Sequence, residues 1–151
     1  MRHPSLIALS HDHHLGLALA LRCRKQALGQ IKPLGIKGLR ERAEEVRNFV
    51  LKNLERHFLA EEQILFPLIR SSVPQSHPLI EDLLKGHEQI RKWAHPLGGD
   101  TDLAKMLFDF GDLLETHIRR EERELFHYFE DHVTAAEAER VKSEIKTILD
   151  H

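Results

Sequence analysis

The sequence holds one cysteine, one tryptophan, one tyrosine and two methionines among its 151 residues. A lone Cys23 excludes an intramolecular disulfide framework and a cysteine-rich zinc site. No apolar run approaches the roughly 18 residues of a membrane-spanning helix, and the opening MRHPSLIALSHDHH lacks the uninterrupted apolar core of a secretory signal. Excess charge is missing too: 22 Lys and Arg stand against 24 Asp and Glu, a formal net charge of −2. A dedicated nucleic-acid or anionic-membrane binder needs a basic excess on some face. These absences set the expectation of a cytoplasmic protein that binds neither nucleic acid nor membrane, and the length suits a single domain over 1–151. Histidine, by contrast, is abundant, with twelve in the chain. It is the commonest metal ligand, so the positions of those twelve carry the question of function.

Three clusters of turn residues punctuate the chain: GQIKPLGIKG (29–38), SSVPQSHP (71–78) and HPLGGD (95–100). Between them the apolar spacing predicts four long helices, over about 5–28, 37–70, 79–94 and 102–131. On the second, Leu39, Val46, Phe49, Val50, Ile64 and Leu68 fall on one stripe. Pro67 lies inside that pattern and predicts a kink or an end. Thr134 followed by Glu137 is a capping-box pattern, and Ala138, Val141, Ile145 and Ile148 continue it as a short fifth helix. No segment alternates as a strand would. Four helices joined by short loops pair antiparallel, so the predicted fold class is all-α, an up-down-up-down four-helix bundle with a short additional C-terminal helix.

Residues 57–66, HFLAEEQILF, and 117–126, HIRREERELF, agree at five of ten positions at an offset of sixty. Each places a Glu four residues after a His, His57 with Glu61 and His117 with Glu121. That spacing puts both side chains on one helical face, about 6 Å apart along the axis. The face is the apolar one, where burying an imidazole and a carboxylate is costly unless something compensates both. A metal ion does so. Asp12-His13 and Gly86-His87 extend the repeat, a single His on one helix followed by His-x-x-x-Glu on the next. In the first helix His13 shares the inward stripe with Leu6, Leu9 and Leu17, while His14 lies with Ile7, Leu17 and Leu21, so His14 and, less readily, His11 stay open as alternatives.

The candidate metal ligands are thus His13, His57, Glu61, His87, His117 and Glu121. Six ligands of this mixture suit two first-row transition metals better than one zinc, iron first, with manganese or zinc behind. If both carboxylates bridge, each metal receives two His and two carboxylate oxygens; a bridging hydroxide adds a fifth ligand and leaves one open position per metal. Asp12 is a candidate partner for a ligating imidazole. Glu62 and Glu122 sit about 100° around the helix from the ligands, so surface positions are expected for them, and Tyr128 extends the stripe of His117 as a packing residue. Cys23 reads as a small buried hydrophobe, and His3, His77, His95, His127, His132 and His151 as solvated.

The order His, His-x-x-x-Glu, His, His-x-x-x-Glu on four helices, with segments such as HFLAEEQILFP, resembles the hemerythrin-like, HHE cation-binding family over roughly residues 5–131. The resemblance implies a non-haem di-iron centre inside a four-helix bundle, with oxygen, nitric oxide or peroxide as the small ligand of a sensor or stress-response protein. An iron-donating module without catalysis is the other reading, and the protein partner stays unknown. Two positions depart from the oxygen carriers of the family: Arg91 stands where they have a further His, and the last carboxylate, Glu121, follows its His by four residues rather than five. Both lead away from reversible oxygen carriage.

Overall fold

The computed structural model describes residues 1–95 and 101–151, so the expected loop at 95–100 lies, apart from His95, outside the described residues. Those described are predominantly helical, without a strand. Helix α1 is Ile7–Ala27, entered through a 3₁₀ turn at Pro4–Leu6. Helix α2 covers 35–72 and α3 is His77–Arg91, with a 3₁₀ turn at Lys92–Ala94 behind it. Helix α4 covers 103–132 and α5 is Ala135–Leu149. Thr134 and Glu137 close the capping box, each side chain bonding the other's backbone N–H. None of the described helices is long and apolar enough to cross a membrane.

The apolar interior falls into two blocks. One gathers Leu6, Leu9, Leu65, Phe66, Ile69, Ile80, Leu83, Leu125, Phe126 and Phe129, and α5 adds Ala138, Val141 and Ile145 to it. The other gathers Leu19, Ala20, Cys23, Val46, Val50, Leu54, Phe58, Ile90, Leu107, Phe110, Leu114 and Ile118. Helix α1 packs most extensively along α4, and α5 lies over the middle of α2 and the first turn of the chain, where the Ser5 hydroxyl donates to the Ala138 carbonyl at 2.8 Å.

Three π turns interrupt the long helices, Val50–Leu54 and Glu61–Leu65 in α2 and Glu121–Leu125 in α4. They change which residues face inward. A regular helix running on from His57 and Glu61 would bury Ile64 and Leu68, and one from His117 would bury Tyr128. Instead Leu65, Ile69 and Phe129 are buried, while Ile64, Leu68 and Tyr128 are only partly so. Each π turn spends one extra residue and shifts the inward stripe by one position. This fits the repeat's tolerance of Ile64 opposite Glu124, for Ile64 is only partly buried at the edge of the core and Glu124 is exposed. The expected break at Pro67 becomes a π turn that ends two residues before it, at Leu65, and the helix continues to Ser72. The wider turn accommodates the ring and the missing N–H.

Between α1 and α2 the chain closes on Gln26, whose carboxamide donates to the Ile31 and Pro33 carbonyls at 3.1 and 2.8 Å and accepts from Arg42. Helix α2 enters beneath this loop through Gly38, where a Cβ would stand 1.8 Å from the Pro33 carbonyl oxygen. Gly38→Ala is therefore expected to destabilise the chain by about 1–3 kcal/mol in thermal or denaturant unfolding. Cys23 is wholly buried, and burial pushes its thiol up to about 12. A thiol reagent at pH 8 should leave the native chain unlabelled and modify Cys23 only as the chain unfolds; prompt labelling of native protein would contradict this packing.

Candidate metal centre

The six residues converge in the layer between the two apolar blocks. His13 comes from α1, His57 and Glu61 from α2, His87 from α3, and His117 and Glu121 from α4. All are buried, none more than 6% exposed. Their ligating atoms form two groups that each lie within 4.8 Å: His13, His57, Glu61 and Glu121, and Glu61, His87, His117 and Glu121. His11 and His14 are exposed, so among the three alternatives in α1 it is His13 that turns inward.

Both carboxylates belong to both groups, and each divides its oxygens between them. Glu61 sets Oε2 at 3.3 Å from His57 Nε2 and Oε1 at 3.1 Å from His87 Nε2. Glu121 sets Oε2 at 3.0 Å from His13 Nε2 and Oε1 at 3.4 Å from His117 Nε2. These approaches largely lack hydrogen-bond geometry. Both Glu61 oxygens, Glu121 Oε1, His87 Nε2 and His117 Nε2 are buried without a hydrogen-bond partner among the described residues. The Nε2 atoms of His13 and His57 face each other at 3.1 Å. Orphaned polar atoms aimed at common points are costly in an apolar interior. A pair of cations would engage them all, so the residues present fit a two-metal centre.

Three of the four imidazoles are held from behind. Nδ1 of His13 donates to Glu122 at 2.5 Å, that of His57 to Asp12 at 3.0 Å, and that of His87 to Glu62 at 2.6 Å. A carboxylate on Nδ1 sets the tautomer that presents the Nε2 lone pair inward and raises its strength as a ligand. Asp12 thus takes the supporting place the sequence suggested. Glu62 and Glu122 depart from the surface role read for them, since both are only 25% exposed and reach back to the imidazoles. Both follow the first residue of a π turn, where the regular 100° step no longer describes the direction of the side chain. The Glu-Glu pair present in both copies of the repeat was the sequence signal for them.

The support extends outward with the same two-fold logic. Arg2 bonds Glu122 at 3.1 Å and lies over the Phe126 ring; Arg91 bonds Glu62 at 2.9 Å and lies over Phe58. His13 stacks on Phe126 and His87 on Phe66, rings sixty positions apart in the repeat, each with centroids 5.5 Å apart. His3 is half-buried rather than solvated, its Nδ1 accepting from the Ser5 N–H and its ring set edge-on to Phe129. Burial favours neutral imidazoles, but the carboxylates outweigh it and push His57 up to about 10 and His87 up to about 11. Burial likewise opposes ionisation of Glu121, yet His117, His13 and His87 hold it well below the usual carboxylate range. Glu121 therefore stays ionised and demands positive charge, which protons or metal ions can supply.

No curated protein and no solved structure matches the chain. The hemerythrin HHE cation binding domain does match, over residues 5–129, a span that holds all six converging residues and their three supporting carboxylates; the chain belongs to that family.

Proposed function

We propose that the chain holds two iron ions, for which His13 and His57 in one group and His87 and His117 in the other would be the imidazole ligands, and Glu61 and Glu121 the carboxylates common to both groups. In this reading the four long helices run up-down-up-down around the pair, within a single domain spanning 1–151. Iron suits a mixed imidazole–carboxylate donor set with room left for an external ligand. When bound, it supplies redox-active positions at which oxygen, nitric oxide or peroxide can bind or react, as in a cytoplasmic sensor or stress-response protein. The chain's own residues prepare those positions. Asp12, Glu62 and Glu122 orient three imidazoles, and Phe58, Phe66 and Phe126 pack against the histidine rings and keep bulk water away. The observation that carries the reading is the pair of four-residue groups sharing both carboxylates.

Elemental analysis of protein from iron-replete cells is expected to return two irons per chain, with a visible spectrum that changes on exposure to oxygen, nitric oxide or hydrogen peroxide. A single zinc, or equal thermal stability with and without metal, would overturn the centre. Two irons without any spectral response would instead support the iron-donating module.

Glu62→Ala and Glu122→Ala should each weaken metal binding by about 10–100-fold in competition with a calibrated chelator, while the far-ultraviolet dichroism of the helices is retained. Unchanged affinity would remove both residues from any supporting role.

A further inference from the structure

The two-fold repeat fails at one place in the centre. Asp12 precedes His13, and the residue at the matching place before His87 is Gly86. Asp12 bonds Nδ1 of His57, but Gly86 offers His117 nothing, and no hydrogen bond to His117 Nδ1 exists among the described residues. The glycine is a steric requirement: a Cβ there would stand 2.5 Å from His117 Nδ1 and 3.1 Å from its Cε1. The imidazole thus lies directly against the α3 backbone, in the space a supporting side chain would need. His117 is also the most exposed of the six, at 6%. It forms the floor of a surface groove of about 260 Å³, rimmed by Lys85, Gln89, Thr116 and Arg120. His57, at the matching place, is 1% exposed and covered by Asp12.

We infer that the two metal positions are unequal by construction: the metal between His87 and His117 is the weakly held, exchangeable one, and the groove over Gly86 is the route by which it enters and leaves. The inference rests on the two-metal reading above. A ligating imidazole without a carboxylate on its outer nitrogen is less firmly oriented and a weaker donor, a difference worth about 10–100-fold in metal affinity. The shared carboxylates cannot cause the inequality, because each gives one oxygen to each group.

Cobalt(II) binding to two single variants separates the halves. His117→Ala leaves the Asp12-supported half intact, and His57→Ala leaves the other. The first is expected to bind one cobalt at least tenfold more tightly than the second, and adding Asp12→Ala to His117→Ala should abolish that advantage. Equal affinities, or the reverse order, would overturn the inference. In the wild-type chain loaded with iron(II), excess chelator should withdraw one metal in a fast phase and one in a slow phase. Thr116→Trp, at the groove rim, should slow the fast phase alone. Release of both metals in one phase, or slowing of the other phase, counts against the proposal even where a single variant loses all its metal. A wild-type chain that never takes up two metals would fail the two-metal reading itself, a different result from two equal metals.

Discussion

Two carboxylates and four imidazoles buried at mid-core set the terms for everything else in this molecule. Glu61 and Glu121 are wholly buried, and isolated carboxylates in such surroundings are very costly. Every neighbouring element delivers compensation: an imidazole from each of the four long helices, then Arg2 and Arg91 behind the outer carboxylates. The division of the apolar interior into two blocks follows from the same demand. The polar layer cannot be moved to a surface without losing its convergence, and it cannot be left uncompensated inside. The packing above and below it consequently has to hold six side chains to within a few ångströms.

The internal repeat meets this demand economically. One pattern, used twice, yields two groups related across the shared carboxylates, and the likeness extends to the stacked Phe66 and Phe126 and to the paired Glu62–Arg91 and Glu122–Arg2. Symmetry in ligands does not require symmetry in support. Asp12 and Gly86 occupy matching places and do opposite things: one fills space and holds a ring, the other clears space for a ring. A repeated cluster of His and Glu side chains in this way acquires a covered side at His57 and an uncovered one at His117 through a single position.

Much of this was legible in the residues. Helix number and extent followed from apolar spacing and turn clusters, to within a few residues at each end, because amphipathic periodicity reports burial directly. The six converging residues followed from polar side chains at positions where spacing demanded Leu, and Cys23 as a buried hydrophobe from its stripe. What escaped was phase. Ile64, Leu68 and Tyr128 do pack against the core, but only partly buried rather than at the centre of the stripe, and the surface places read for Glu62 and Glu122 do not hold. Both readings assumed 3.6 residues per turn through regions that are π-helical. A signal was present in the run of fours at 57, 61, 65 and 69, matched at 117, 121, 125 and 129, too regular a spacing for an unbroken α-helix.

The sequence by itself determined the helical class, the placement of His and Glu on the inward faces, and the doubling of the pattern. These are local or periodic properties, and a chain of this composition has few other ways to bury its apolar residues. Tertiary structure alone decided which of His11, His13 and His14 turns inward, which carboxylate stands behind which imidazole, and that His117 has none among the described residues. Those outcomes depend on contacts between elements as far apart in sequence as residues 13 and 122, and on helical phase after each π turn. Periodicity within one helix carries no information about either.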